Sequence, residues 1–88
     1  MTYLITWSNI ALSELSKLPD DIADRIIKKL DQIKENPPRF IERLVSLSGS
    51  KLRVGDHRII LDIIEPEKII AIRTLGHRKN IYKKYKTD

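Results

Sequence analysis

The chain lacks cysteine, and this absence excludes a disulfide framework as well as zinc or thiol chemistry based on cysteine. It has only three glycines in 88 residues, and they form no glycine-rich phosphate-binding loop. No apolar run approaches the roughly 20 residues needed to cross a bilayer. The N-terminus also lacks the basic start and apolar stretch of a secretory signal peptide. We therefore expect one cytoplasmic domain over residues 1–88, without membrane association.

Residue clusters for metal chemistry are also missing. With no cysteine and no close cluster of several histidines and carboxylates, the two histidines, His57 and His77, do not indicate a transition-metal site. The main acidic cluster, Asp20, Asp21 and Asp24, suits the positively charged start of a helix better than a magnesium site. We expect neither a metal nor any other cofactor.

Positive charge is concentrated in the C-terminal half of the chain. Residues 1–50 hold seven Lys or Arg and seven Asp or Glu, so their charges cancel. Residues 51–88 hold ten Lys or Arg and five Asp or Glu, which accounts for the net charge of +5. Residues 73–86 include no acid at all. Such a one-sided distribution fits a polyanionic partner such as nucleic acid, or else a solvated basic tail.

Apolar spacing predicts two helices in the N-terminal half. Ser8 suits the N-cap of a first helix, which Pro19 ends. A second helix starts at Asp20, and the Asn-Pro-Pro sequence at residues 36–38 ends it. Because very few residues join them, the two helices should form an antiparallel hairpin. Their predicted apolar stripes are Ala11, Leu12, Leu15 and Leu18, then Ile22, Ile26, Ile27, Leu30 and Ile33.

Strands precede and follow this helical pair. Gly55-Asp56 predicts a two-residue hairpin turn, and residues 65–68 predict a second turn. The basic residues after Gly76 are expected to form one or two helical turns. The order β-α-α-β-β-β defines an α+β fold, with the helical hairpin on one face of a mainly antiparallel sheet and a short basic C-terminal segment. The predicted strands cover residues 3–7, 51–54, 57–64 and 69–75.

The two-residue turn has a consequence for the charged side chains. It places Arg53 opposite Arg58 and Lys51 opposite Ile60, so that all three cations share one face of the sheet. Two like charges directly opposite each other are destabilising. The pair therefore indicates that a phosphate is held between the two guanidinium groups. Alternatively, the groups splay into water or a bulge shifts the register.

The segment Lys51-Leu-Arg-Val-Gly-Asp-His-Arg58, followed by Gly76-His-Arg78 and Tyr82, resembles the RelE toxins of toxin–antitoxin systems. The resemblance covers nearly the whole chain. It implies a ribosome-dependent endoribonuclease that cleaves mRNA in the ribosomal A site without a metal. In this chemistry the RNA's own 2′-hydroxyl attacks the adjacent phosphate.

The resemblance also assigns roles to individual residues. It makes Lys51 a base or electrostatic stabiliser and Arg58 the contact to the scissile phosphate. It makes Arg78 a group that protonates the leaving group or stabilises the transition state. Tyr82 matches a tyrosine that stacks on a target base. A histidine is an alternative general base, because histidine titrates near neutral pH. Further residues expected to bind the substrate are Arg53, His57, His77, Lys79 and Lys83.

The partners implied by the resemblance are a RelB-like antitoxin, the ribosome and mRNA. The chain departs from some relatives at Gly49, where they have a second lysine, and at His57 and Leu61, where they have aromatic residues. Two other interpretations stay open. One is a ParE-like inhibitor of DNA gyrase, and the other is a basic RNA- or ribosome-binding module without catalytic activity.

Overall fold

The computed structural model describes residues 2–35, 42–43 and 49–84, and for residues 42–43 and 82–84 it describes the backbone alone. The predicted α+β architecture is confirmed. The prediction that residues 36–38 end the second helix lies outside the described residues. The elements in chain order are β1 (Leu4–Trp7), α1 (Asn9–Ser16), α2 (Asp20–Ile33), β2 (Glu42–Arg43), β3 (Ser50–Val54), β4 (His57–Ile64), β5 (Ile69–His77) and α3 (Arg78–Lys84).

The strands form one sheet in the order β1-β5-β4-β3-β2. β1 is parallel to β5, and the other three neighbouring pairs are antiparallel. The first strand of the chain thus lies beside the last one, at the sheet edge. This pairing is a long-range contact that no local sequence pattern specifies. The two-residue strand β2 is an addition to the predicted set.

The helical hairpin begins with the cap that the sequence predicts. The Ser8 hydroxyl accepts a hydrogen bond from the Ala11 backbone N–H at 3.0 Å. Such a bond satisfies one of the donors left free at a helix start. In α2, Asp20 and Asp21 occupy the first turn, where carboxylates complement the helix dipole. No described helix is long and apolar enough to cross a membrane.

Two residues of the predicted apolar stripes lie on the surface, so that part of the prediction is wrong. Leu12 is 48% exposed and Ile27 is 47% exposed, whereas Ala11 and Ile26 are fully buried. Successive residues in an α-helix are about 100° apart around its axis. A neighbour of a fully buried residue therefore falls at the margin of the apolar stripe, and its side chain meets solvent.

The core lies between the helical hairpin and one face of the sheet. The largest buried cluster combines helix residues with alternate residues of the three long strands. Its fully buried members include Ile26, Leu30, Ile33, Leu52, Ile59, Leu61, Ile70, Ile72 and Leu75. On the opposite face Ile60 packs against Ile81 of α3 in a separate, smaller cluster.

A cluster of polar side chains ties β1 to the turn between β4 and β5. The Tyr3 hydroxyl donates a hydrogen bond to the Glu65 carboxylate. The Lys68 ammonium lies 5.1 Å from the centre of the Tyr3 ring and 3.5 Å from the same carboxylate. The Glu65 carboxylate, followed by burial, raises the pKa of Tyr3 above its ordinary value. These contacts hold the edge strand against β5.

The contrast between two neighbouring isoleucines of α2 predicts unequal losses of stability. We expect Ile26→Ala to lower the free energy of unfolding by about 2–5 kcal/mol, because it empties a fully buried site. Ile27→Ala is the matched control and should cost less than about 1 kcal/mol. Urea denaturation followed by circular dichroism measures both values. Equal losses for the two variants would contradict this description of the core.

Candidate functional site

The predicted register between β3 and β4 is confirmed. Arg53 pairs with Arg58, and Lys51 pairs with Ile60. The neighbours Leu52 and Val54 point into the main core, so Lys51, Arg53 and Arg58 start from the other face of the sheet. We call this face, opposite α1 and α2, the open face. The register thus places the starting points of the three cationic side chains on one side of the sheet.

Arg58 is held in the hairpin that presents it. Its Nη1 atom donates to the backbone carbonyls of Gly55 and His57, each at 2.9 Å. The residue is only 4% exposed. Because these carbonyls belong to the hairpin itself, the guanidinium group has a fixed position relative to the turn.

Lys51 is the second buried cation of the open face and is 5% exposed. It lies beside Ile60 on β4, and one cross-strand pair, Leu52–Ile59, separates its pair from that of Arg58. Burying a charged group costs free energy unless partners compensate it. Lys51 and Arg58 are thus two nearly covered cations on one face of the sheet, which makes them candidates for a functional site.

Arg53 occupies a different environment. Arg53 is exposed, and it lines a groove of about 580 Å³ between α2 and the end of β3. Arg58, by contrast, is bonded to the hairpin carbonyls. This difference reduces the repulsion between the two arginines. The other residues that line the groove are Asp21, Asp24, Arg25, Lys28, Lys29, Gln32, Val54 and Gly55.

The two histidines lie next to each other on the helix side of the sheet. His57 pairs with Val54 on one neighbouring strand and with His77 on the other, so both rings start from the face that carries the core. Their ring centres are 5.6 Å apart in an edge-to-face arrangement. The backbone N–H of Lys79 donates to Nδ1 of His77 at 3.2 Å. The register thus separates the histidines from Lys51 and Arg58, which start from the opposite face.

α3 brings Arg78 to the hairpin. The backbone N–H of Arg78 donates to the Asp56 carbonyl in the hairpin loop at 2.8 Å. Further along α3, Ile81 packs on Ile60 and lies close to Gly76, where a methyl group would come within 3.2 Å of it. The helix therefore starts at the turn that holds Arg58 and continues over the open face.

The remaining predicted residues all belong to α3. Arg78 and Lys79 are exposed. Tyr82 and Lys83 lie in α3, and their side chains are outside the described part of the chain. Their predicted roles in base stacking and substrate binding stay predictions.

The sequence analysis missed one charged pair. Arg73 and Asp62 lie 3.6 Å apart, between Nη1 and Oδ1, and each side chain is 40% exposed. The acid-free basic run begins at Arg73, but nothing in the local sequence marks this residue as part of the open face. Within residues 2–35 and 49–81, no three His, Cys, Asp or Glu side chains converge in a way that would hold a metal ion.

Comparison with protein families identifies the class of protein. The model described as the ParE toxin of the type II toxin–antitoxin system parDE matches residues 5–82. The chain is therefore a type II toxin. It belongs to this toxin family, and its resemblance to the RelE toxins is confirmed by the relatives that match it.

Individual relatives cover most of the chain. The mRNA interferase toxin RelE of Escherichia coli K12 is 24% identical over 82 residues, which are 90% of this chain and 86% of that protein. The toxin–antitoxin complex RelBE2 from Mycobacterium tuberculosis has a TM-score of 0.81 at 23% identity, over 89% of this chain and 100% of that chain. The archaeal RelE–RelB complex from Pyrococcus horikoshii OT3 has a TM-score of 0.73 at 26% identity, over 89% of this chain and 97% of that chain.

The environment of His57 predicts a dependence of stability on pH. Burial, followed by the neighbouring His77, lowers the pKa of His57 below its ordinary value of 6.5. Between the lowered pKa and 6.5, the unfolded chain holds more protons on this group than the folded protein does. The free energy of unfolding therefore rises with pH across this window and falls on acidification.

We expect His57→Gln to lose less stability than the wild-type protein between about pH 6.5 and pH 5. Urea titrations at a series of pH values measure this difference. Parallel profiles for the two proteins would contradict a lowered pKa at His57.

Proposed function

We propose that this toxin is a ribosome-dependent endoribonuclease that cleaves mRNA in the A site without a metal ion. The observation that carries the proposal is the position of Lys51 and Arg58 on one face of the sheet, with a single cross-strand pair between theirs. Arg78 is tied to the same hairpin through the Asp56 carbonyl. The name of the Escherichia coli relative, an mRNA interferase, supports the same activity.

The chemistry needs charge stabilisation and proton transfer. The 2′-hydroxyl attacks the adjacent phosphorus and displaces the 5′-oxygen, which leaves a 2′,3′-cyclic phosphate and a 5′-hydroxyl. Arg58 and Arg78 would stabilise the negative charge that develops on the phosphate. Lys51 would act as the base that takes the 2′-hydroxyl proton, or as a further stabiliser. The departing 5′-oxygen takes up a proton, for which Arg78 or solvent water is the donor.

A histidine is the other candidate for the general base. His57 and His77 start from the opposite side of the strands, which favours Lys51 for this role. We propose that the two histidines and Lys79 support substrate binding beside the hairpin, where His57 and His77 border a cavity of about 230 Å³.

Burial of the cations supports dependence on the ribosome. Lys51 and Arg58 are 5% and 4% exposed, so a flexible RNA strand in solution reaches them poorly. A ribosome that holds the codon in place supplies the orientation that free RNA lacks. We therefore propose mRNA and the ribosome as partners, with the cytoplasm as the site of action.

We also propose a RelB-like antitoxin as a protein partner. The solved relatives from Mycobacterium tuberculosis and Pyrococcus horikoshii are complexes of this type of toxin with its antitoxin. The net charge of +5 favours an acidic partner segment.

Inhibition of DNA gyrase is the second candidate function. The matching family model carries the name of the ParE toxin, which favours this alternative. A ParE-like toxin would produce gyrase–DNA cleavage complexes and leave mRNA intact. The presence of Arg78 and Tyr82 favours RNA cleavage instead.

The direct test is translation of a defined mRNA with purified toxin, followed by primer extension to map the RNA ends. We expect discrete cuts within translated codons and none when ribosomes are omitted. Intact mRNA together with gyrase-dependent DNA breaks would replace the proposal by the gyrase alternative. Intact mRNA on stalled ribosomes would indicate a binding module without catalytic activity.

Substitution of the two arginines should abolish most of the cleavage. We expect Arg58→Ala and Arg78→Ala each to slow it by about 100-fold or more, since each removes a positive charge from the transition state. Lys34→Ala, at the end of α2, removes a cation paired with Asp31 and is the control for loss of a cation; it should cleave normally. Because Arg58 also bonds the hairpin, circular dichroism and the variant Arg58→Lys check that the fold is retained. Cleavage at the wild-type rate by both alanine variants would refute the proposed site.

A further inference from the structure

Arg73 is brought to the open face by an irregularity in the sheet. In the register between β4 and β5, Ile60 pairs with Thr74, but the next residue, Leu61, pairs with Ile72. Arg73 is therefore the extra residue of a β-bulge. A bulge changes the direction of the side chain that it carries. Without this shift, successive side chains along β5 would alternate between the two faces of the sheet without interruption.

The guanidinium group of Arg73 extends across β4 towards β3. Its Nη1 atom lies 3.6 Å from Oδ1 of Asp62 on β4. A methyl group at Gly49 would lie 3.0 Å from the same Nη1 atom. Gly49 comes two residues before Lys51, so the guanidinium lies beside the start of the strand that carries the buried lysine.

Gly49 leaves open the space that this arginine fills. Its φ of +106° is a conformation that L side chains rarely adopt. A side chain at this position would be strained and would also meet Asp62 Oδ1 at 3.0 Å. The backbone of residue 49 and the bulge on β5 therefore act together to place a cation from β5 beside residue 49, two positions before Lys51.

We propose that Arg73 is a further substrate-binding residue that contacts an RNA phosphate on the open face. The proposal rests on the function proposed above and adds a residue to it. Arg73 is 40% exposed, whereas Lys51 and Arg58 are nearly covered, so Arg73 is accessible to the strand before they are. A guanidinium group binds phosphate oxygens with two parallel hydrogen bonds, which also orients the strand.

A purely structural role explains the arrangement less well. A half-exposed ion pair of this length contributes little to stability. The pairing of β4 with β5 also contains a bulge at Arg73. Bulges are over-represented at sheet edges and next to active sites, where they redirect a side chain.

The salt dependence of RNA binding tests the proposal directly. The probe is a fluorescent single-stranded 2′-O-methyl oligonucleotide, which 2′-hydroxyl attack cannot cleave, titrated with the full-length protein at several KCl concentrations. The logarithm of the binding constant falls linearly with the logarithm of the salt concentration. For a single strand, loss of one phosphate contact reduces the magnitude of this slope by about 0.7. We expect this decrease for Arg73→Gln, while Arg73→Lys keeps the wild-type slope.

Two variants control for loss of the ion pair and for loss of charge. Lys34→Gln removes a cation of similar exposure that is paired with Asp31, on the helix side of the protein, and should leave the slope unchanged. Asp62→Asn breaks the pair but retains the cation, and should also leave the slope unchanged. Circular dichroism confirms that each variant is folded.

The proposal is overturned if Arg73→Gln keeps the wild-type slope, if Lys34→Gln lowers it equally, or if the wild-type protein does not bind the oligonucleotide. These outcomes are independent of mRNA cleavage. A wild-type protein that binds RNA through Arg73 but leaves translated mRNA intact would contradict the endoribonuclease and not the phosphate contact.

Discussion

The cross-strand register of β3 and β4 is the constraint on which the candidate site depends. A loop of only two residues connects the strands, and Gly55 in this loop has a φ of +58°. This turn fixes the pairs Arg53–Arg58 and Lys51–Ile60. A shift of one residue would exchange the two faces of a strand and move the cations into the apolar core. The core and the charged face are thus two consequences of one turn.

The register imposes an electrostatic cost that the local structure reduces. Two arginines directly opposite each other repel. Arg58 donates to the carbonyls of Gly55 and His57, and Arg53 is exposed beside α2. Lys51 stays nearly covered on the same face. The same register therefore connects the packing of the sheet to the proposed chemistry.

Local patterns predict a large part of this arrangement. The Gly55-Asp56 turn fixes the hairpin register, and the Ser8 cap and Pro19 delimit the first helix, because each of these signals acts within a few residues. The parallel pairing of β1 with β5 was not predictable, since it joins segments more than 60 residues apart. The bulge at Arg73 has no local sequence signal either.

The exposure of two residues in the predicted apolar helix stripes, and the sheet face on which the histidines lie, show a second limit of sequence reasoning. Leu12 and Ile27 fit an apolar helical pattern but fall at its margin, where the packing of the helix on the sheet decides exposure. His57 and His77 are close to the catalytic candidates in the chain, yet strand alternation places them on the other face. Proximity along a strand therefore does not predict membership of one site, whereas the register does.

The chemistry of the cleaved ends tests the central claim, that cations on the open face promote attack by the RNA's own 2′-hydroxyl. Toxin-treated, translated mRNA would be isolated, and the two ends at each cut would be analysed by mass spectrometry. The account predicts a 2′,3′-cyclic phosphate, or the 3′-phosphate formed when it hydrolyses, on one fragment and a 5′-hydroxyl on the other. It also predicts that a 2′-deoxy substitution at the cut codon prevents cleavage. A 5′-phosphate with a 3′-hydroxyl, or cleavage of the 2′-deoxy message, would contradict it.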